Sequence, residues 1–196
     1  MTTPVLETER LLLRPLRLAD AVAIQHWFAN WNIIRRLSTN VPWPYPADGA
    51  ETFLREMALP AMASGESLKW AITLEGDDAL IGAIDFTFED TGLGNRGFWL
   101  AEHLWGQGYM TEAVIAVQNH VLITLGVERI VVLNASDNVA SRRVKEKTGA
   151  TYLGQIEVAH HDGSHLADQW EITRESWRAA NRHHGDRSSW MSWMGW

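Results

Sequence analysis

The sequence predicts an α/β protein, a three-layer sandwich with helices on both faces of a mixed, mostly antiparallel sheet. Three observations carry this. Strand-like and helix-like segments alternate in the order β-α-α-β-β-β-α-β-α-β-β. Residues 98–134 make a βαβ unit of the usual length, which sets one pair of strands parallel. The chain has 196 residues, 46% of them hydrophobic, enough for one domain with a full core and short for two.

Residues 9–16 read as a strand stopped by Pro15, and Asp20 then caps a helix carrying Val22, Ile24, Trp27 and Phe28. Residues 41–46 hold three prolines, which fix φ and remove donors, so this aromatic-bearing segment is an ordered loop. Asp48 is the expected N-cap of a helix running to about Ser64. Residues 68–74 and 80–88 are strand-like on either side of Gly76-Asp77-Asp78. A third strand covers 97–101, after a turn at 91–95. From Tyr109 the period becomes helical through Met110, Val114, Val117, Val121 and Leu125, and Gly126 ends it. Residues 129–133 form a continuous apolar run, as in a strand buried on both faces. A helix at 139–147 stops at Gly149, and strands at 152–159 and 168–173 pair around Asp162-Gly163.

Composition excludes several function classes. There are no cysteines, so disulfides, zinc–thiolate sites and a catalytic thiol are out. A net charge of −7 argues against nucleic-acid binding and suits a cationic substrate through weak steering. No run of about 18 apolar residues is present and the N-terminus lacks a charged start, so the expectation is a cytoplasmic protein without a membrane partner. The cations Arg129, Arg142, Arg143, Lys145 and Lys147 cluster against Asp137 and Glu146 alone, which reads either as an anion site or as a solvated helix face. His160, His161, Asp162 and His165 straddle a turn that collects such residues, and no metal site is expected.

Two constellations carry chemistry. Gly106-Gln107-Gly108 lies where a strand gives way to a helix, where glycines admit an anion to the free N–H groups of the first turn. Thr111 stands where a dinucleotide fingerprint has its third glycine, and no Gly-Lys-Ser/Thr follows, so both common phosphate loops are excluded. The second constellation is the segment Asn138, Ser141, Arg142, Arg143, Val144, Lys145, Glu146, Lys147 and Gly149.

Together these motifs resemble the GNAT N-acetyltransferase superfamily, most of all its ribosomal-protein N-terminal acetyltransferase (RimJ/RimL-type) branch. Trp105 to Ala113 matches W-G-x-G-x-x-T-E-A, and Asn138 to Gly149 matches N-x-x-S-x-x-V-x-E-K-x-G. Residues 7–16 are similar to the branch's first strand, and Trp177 resembles its C-terminal end. The likeness implies a single domain over 1–178, with a Trp-rich extension at 179–196 that ends in Trp190, Trp193 and Trp196. That extension reads equally as a flexible tail or as a stripe docking on the domain or on a second subunit, which leaves a homodimer open.

The resemblance further implies the acyl-CoA N-acyltransferase fold with the parallel pair splayed, and acetyl-CoA as co-substrate lying in the splay. Its pantetheine would pair with the backbone of Trp99, Leu100 and Ala101. Its pyrophosphate would take the N–H groups of Gly106, Gln107, Gly108, Tyr109, Met110 and Thr111. Asn138 would hold the pantetheine arm, and Arg142 or Arg143 the 3′-phosphate. Ser141 would donate a hydrogen bond to the departing thiolate, and Trp31, Trp43 and Tyr45 would wall the acceptor pocket. Met110 stands where the family prefers Gly or Ala, Ala150 where it has Phe, and Lys145 where it often has Tyr.

The implied reaction is direct attack by an amine, protein N-terminal or small, in a ternary complex. An α-amine has a pKa of about 8, so a modest base suffices. His160 and Asp85 are the leading candidates, beside Glu102 and Glu171. A silent acyl-CoA-binding domain, or an enzyme using another acyl-CoA, fits the same motifs.

Overall fold

The computed structural model describes residues 1–89 and 94–181. Two sheets make up the middle layer. The first carries β1 (Leu6–Glu7), β2 (Leu11–Pro15), β3 (Ser67–Leu74), β4 (Leu80–Thr87) and β5 (Phe98–Leu100) in that order. The second carries β6 (Arg129–Ala135), β7 (Thr151–Glu157) and β8 (Leu166–Thr173), with β8 in the centre. Every ladder is antiparallel.

The expected parallel pair is the β5/β6 junction, and its splay is complete: no ladder joins the two strands. The Asn95 side chain explains the break. The Asn95 N–H donates to the Val131 carbonyl at 2.9 Å, while its Oδ1 accepts from the Val131 N–H, also at 2.9 Å. A side chain thus consumes the group that a neighbouring strand would use. Gly94 (φ +85°) turns the chain there, where a Cβ would lie 3.2 Å from the Val131 carbonyl.

Side-chain alternation sorts the sheet faces. Leu68, Trp70 and Ile72 of β3, with Ile84 and Phe86 of β4, point into a core shared with Val114, Val117 and Val121. These last belong to α5 (Tyr109–Asn119) and the π turn His120–Thr124 that extends it. Ala71 and Leu80 face a second core with Ile24, Ala50, Leu54 and Ala58. That core lies under α1 (Ala21–Phe28), α3 (Gly49–Phe53), the π turn Leu54–Ala58 and α4 (Leu59–Ser64). Helices therefore cover both faces. β6 carries Ile130, Val131 and Val132 buried, as its apolar run requires.

Two caps differ from expectation. Asp20 makes no side-chain cap on α1, because its carboxylate accepts from the Arg14 guanidinium (2.7 and 2.9 Å) and from the Arg17 N–H (2.8 Å). Asp48 leaves α3 uncapped, and the Gln25 carboxamide takes the Ala50 N–H instead, at 3.1 Å. Two further helices are α2 (Trp31–Ile34) and α7 (Arg174–Asn181), the latter running past residue 178. The tryptophans at 190, 193 and 196 lie outside the described residues, as do 90–93 of the expected turn. Among the described residues no helix is long and apolar enough to cross a membrane.

Candidate active site

The splay opens a cleft of about 400 Å³ between β5 and β6. On the β4 side, the Asp85 N–H donates to the Gly97 carbonyl and the Ala101 N–H to the Ile81 carbonyl. Antiparallel alternation then puts the peptide groups of Gly97, Trp99 and Ala101 toward β4, and those of Phe98 and Leu100 toward the cleft. The Leu100 carbonyl is taken by the Trp105 indole N–H at 2.8 Å. The Phe98 peptide and the Leu100 N–H form an unladdered edge, the kind of edge to which an amide-bearing chain adds like a strand.

The cleft ends at the glycine turn. Gly106 (φ +78°) and Gly108 (φ +84°) are left-handed, and Gly108 is the N-cap of α5. A Cβ at Gly106 would meet open space. Helix geometry leaves the N–H groups of Tyr109, Met110 and Thr111 without intrahelical acceptors, and all three residues line the cleft. Met110 also packs into the core at 7% exposure.

A clamp from the N-terminal strands holds this turn. Glu112, in the first turn of α5, accepts at Oε1 from the Thr8 hydroxyl (2.6 Å) and the Arg10 N–H (2.9 Å), and at Oε2 from Arg10 Nε (2.7 Å). Arg10 Nη1 donates to the Gln107 carbonyl at 3.0 Å, and its guanidinium covers the Tyr109 ring at 4.4 Å. The loop's position is therefore set through a buried carboxylate.

The opposite wall is α6 (Val139–Lys147). Asn138 caps it, its side chain accepting from the Ser141 N–H at 3.1 Å. The Ser141 hydroxyl oxygen accepts from Lys145 Nζ, one turn further along the same helix, at 2.8 Å. Lys145 is 1% exposed and sits over the Phe98 ring, 5.6 Å from its centroid. Burial pushes its pKa well below the ordinary lysine value, the Arg96 charge pushes it further, and Asp168 opposes both. Arg96 is itself buried, with Nη1 on the Gln118 carboxamide. Its Nε and Nη2 have no hydrogen-bond partner among the described residues. Among the described residues, the side chains lining the cleft include Arg36, Arg96, Arg143, Lys145 and Lys147 and no carboxylate, in a chain of net charge −7. That concentration of cations suits a polyanionic ligand.

Residues 10–151 match the family model described as "Acetyltransferase (GNAT) domain". The chain belongs to this family. It is 26% identical over 153 residues to the uncharacterized N-acetyltransferase YoaA of Bacillus subtilis (strain 168), covering 74% of this chain and 82% of that one. The fold matches RimL, a ribosomal L7/L12 alpha-N-protein acetyltransferase solved with coenzyme A, with a TM-score of 0.74 at 18% identity, over 87% of this chain and 98% of that one. It also matches Mycobacterium smegmatis RimJ in complex with CoA-disulfide, with a TM-score of 0.71 at 20% identity, over 93% and 95% of the two chains. The matched domain makes this chain a GNAT acetyltransferase.

Against that identity the structure distributes the sequence-derived residues unevenly. Trp99, Leu100, Gly106, Gly108, Tyr109, Met110, Thr111, Asn138, Ser141 and Arg143 all line the cleft. Ala101 is bonded to β4, and Gln107 turns its carbonyl to Arg10. Arg142 pairs with Glu146 at 3.0 Å and lies over Trp170, while Arg143 faces the cleft. Asp85 lies beside it: Oδ1 accepts from the Gly97 N–H at 2.6 Å and Oδ2 from Lys69 at 3.0 Å.

His160 is buried away from the cleft lining. Its Nδ1 faces Ser164, and it bridges Ser38. Together with Thr39 N–H to Ala159 and Asp162 N–H to Arg35, this fastens residues 35–41 to the β7–β8 hairpin. The Trp31 and Trp43 rings meet at a tilt of 44° with centroids 5.2 Å apart, each residue 39% exposed. Tyr45 packs edge-on to Phe28, which touches Trp99. Trp27 lies partly exposed against His103, with ring centroids 4.7 Å apart.

Sequence reasoning missed Arg10, Arg36, Arg96, Glu112 and the role of Glu102. Glu102 is held by Asn30 (2.6 Å) and Asn32 (2.8 Å) beside Trp31. Glu112 was visible inside the T-E-A motif. Arg96, the buried one of these cations, carries no local signal in the sequence.

Proposed function

We propose that this enzyme acetylates a primary amine, the α-amine of a protein N-terminus being the leading class, by direct attack within a ternary complex. The observation that carries this is the juxtaposition, in one cation-rich cleft, of the unladdered β5 edge, the glycine turn and the Ser141 hydroxyl. The fit to acetyl-CoA is good. Pantetheine amides match the Phe98 and Leu100 edge, pyrophosphate matches the N–H groups from Gly106 to Thr111, and the Asn138 amide donors and Arg143 remain for the arm and the 3′-phosphate. The Leu100 N–H serves the developing oxyanion, and Ser141 donates to the thiolate.

On the acceptor side, Trp31, Trp43 and Tyr45 supply aromatic surface and Glu102 an exposed carboxylate. Asp85, adjoining Gly97, is the better-sited base, acting directly or through water; His160 is assigned to fastening the hairpin. The test is release of free CoA on incubation with acetyl-CoA and a panel of N-terminal peptides, amino acids and polyamines. Ser141→Ala should lower kcat about 10- to 100-fold with acetyl-CoA affinity within about threefold. Undiminished kcat removes Ser141 from the chemistry, and no release across the panel overturns the activity.

One observation favours a second donor. Buried Arg96, with two unpaired N–H positions, would suit an acyl group ending in a carboxylate. Competition of succinyl-CoA against acetyl-CoA separates the two donors.

A further inference from the structure

The Lys145–Ser141 contact joins a lysine buried at 1% exposure to a hydroxyl that lines the cleft. Nothing in the fold requires this lysine to be a cation. Among the described residues its Nζ donates to Ser141 Oγ and to no carboxylate; the charges that act on it are Arg96, from the segment leading into β5, and Asp168, from β8. Asp168 is engaged by Ser136 (3.0 Å) and Gln155 (3.1 Å). On α5 the neutral Gln118 accepts from Arg96 and donates to the Thr148 carbonyl at 3.1 Å, and from β5 the Phe98 ring faces Lys145. A structural lysine would find a better-compensated place, and a packing residue would not need an ammonium. What this position offers is a proton held one hydrogen bond behind a hydroxyl.

We propose that Lys145 is the proton reservoir for thiolate departure, delivering its proton through Ser141. The proposal rests on the reading of Ser141 given above. As the tetrahedral adduct collapses, the C–S bond breaks and its electron pair goes to sulfur. Sulfur takes the Ser141 hydroxyl proton, and Ser141 Oγ takes one from Lys145 Nζ, leaving Lys145 neutral. The proton shed by the attacking nitrogen passes to solvent, and Lys145 is recharged from solvent before the next turnover. Lys145 acts through Ser141 and is therefore a positioning and relay residue, with no contact to the substrate required. A reservoir works best when its pKa lies near the working pH, and burial beside Arg96 moves Lys145 in that direction.

Two measurements test this. The first needs no acceptor: with CoA bound, the ¹³Cε resonance of Lys145 in lysine-labelled protein should titrate well below the ordinary lysine value of about 10.4, and a midpoint at or above that value overturns the proposal. The second is the pH dependence of kcat with the acceptor selected from the panel. Wild type should lose rate on a basic limb as Lys145 deprotonates. Lys145→Met, which keeps the length without a proton, should lower kcat about 100-fold and abolish that limb. Lys145→Arg, which keeps the charge and the donor, should also abolish it, because arginine does not give up its proton in this range. CoA affinity within about threefold of wild type verifies that each variant is folded. A basic limb retained in both variants overturns the relay. If it is retained while Ser141→Ala still loses kcat, the serine assignment stands and only the relay falls. If Ser141→Ala keeps full kcat, both fall.

Discussion

Replacing Glu112 by alanine removes the carboxylate that ties the N-terminal strands to the glycine turn. Four contacts go at once: Thr8 Oγ1 at 2.6 Å, the Arg10 N–H at 2.9 Å, and Nε and Nη2 of Arg10, each at 2.7 Å. Glu112 is 7% exposed and Arg10 35%, so one partner is dry and the other is partly screened by water. Breaking a fully buried pair costs about 3–5 kcal/mol, and the exposed share of Arg10 reduces this to about 2–3 kcal/mol. For a domain of this size each kcal/mol moves Tm by about 2–4 °C, so Glu112→Ala should melt about 4–12 °C lower in a ligand-free circular dichroism scan. Freed from Glu112, Arg10 no longer holds the Gln107 carbonyl. The loop then loses about one hydrogen bond of preorganisation, and calorimetric titration should find CoA bound about 3- to 10-fold more weakly. Glu112→Gln, which keeps the shape and loses the charge, should fall between. A Tm within 2 °C of wild type (less than ~1 kcal/mol) together with unchanged CoA affinity would refute the clamp.

Two further expectations concern the core. Burial holds the His120 imidazole below its ordinary pKa. Its contribution to stability is therefore complete above the unfolded value of about 6.5 and is lost as pH falls through the folded one. The urea midpoint should drop between pH 7.5 and pH 5, and less steeply in His120→Gln; equal slopes would assign the acid sensitivity elsewhere. Trp70 is fully buried and its indole N–H donates to the Pro4 carbonyl at 2.7 Å. Trp70→Phe should cost about 2–3 kcal/mol in chemical denaturation and expose the peptide near Pro4 to proteolysis.

Much of this molecule was legible before any coordinates. The α6 boundaries, the glycine turn and the buried strand β6 follow from local rules: a cap, a pair of left-handed glycines, a run of β-branched residues. The cleft wall was legible for the same reason, since the groups it presents are mostly backbone N–H whose directions a motif dictates. Charged residues were harder. Asp20 has the sequence signature of a cap, yet the Arg14 guanidinium, six residues away, outcompetes a backbone N–H for it. His160 had the right chemistry for a base, but its position is set by a hairpin that closes onto residues 35–41, a contact more than a hundred residues distant in sequence. Lys145, on α6, and Arg96, ahead of β5, influence each other across the cleft through tertiary packing that no local pattern announces.

The binding of residues 35–41 to the β7–β8 hairpin bears on how acceptor choice could be exchanged between related enzymes. The cleft proposed for the donor is lined mainly by residues 97–111 and 132–147, while the aromatic wall proposed for the acceptor comes from residues 27–45. The two roles occupy separate stretches of chain, so a graft of the wall would leave the chemistry in place. It would not travel alone, however. Ser38, Thr39 and Arg35 register against His160, Ala159 and Asp162, and Val41 against His161 at 2.5 Å. A transplant confined to the first half would arrive with its buckle missing; a chimera carrying residues 158–165 along with 27–45 moves lock and latch together.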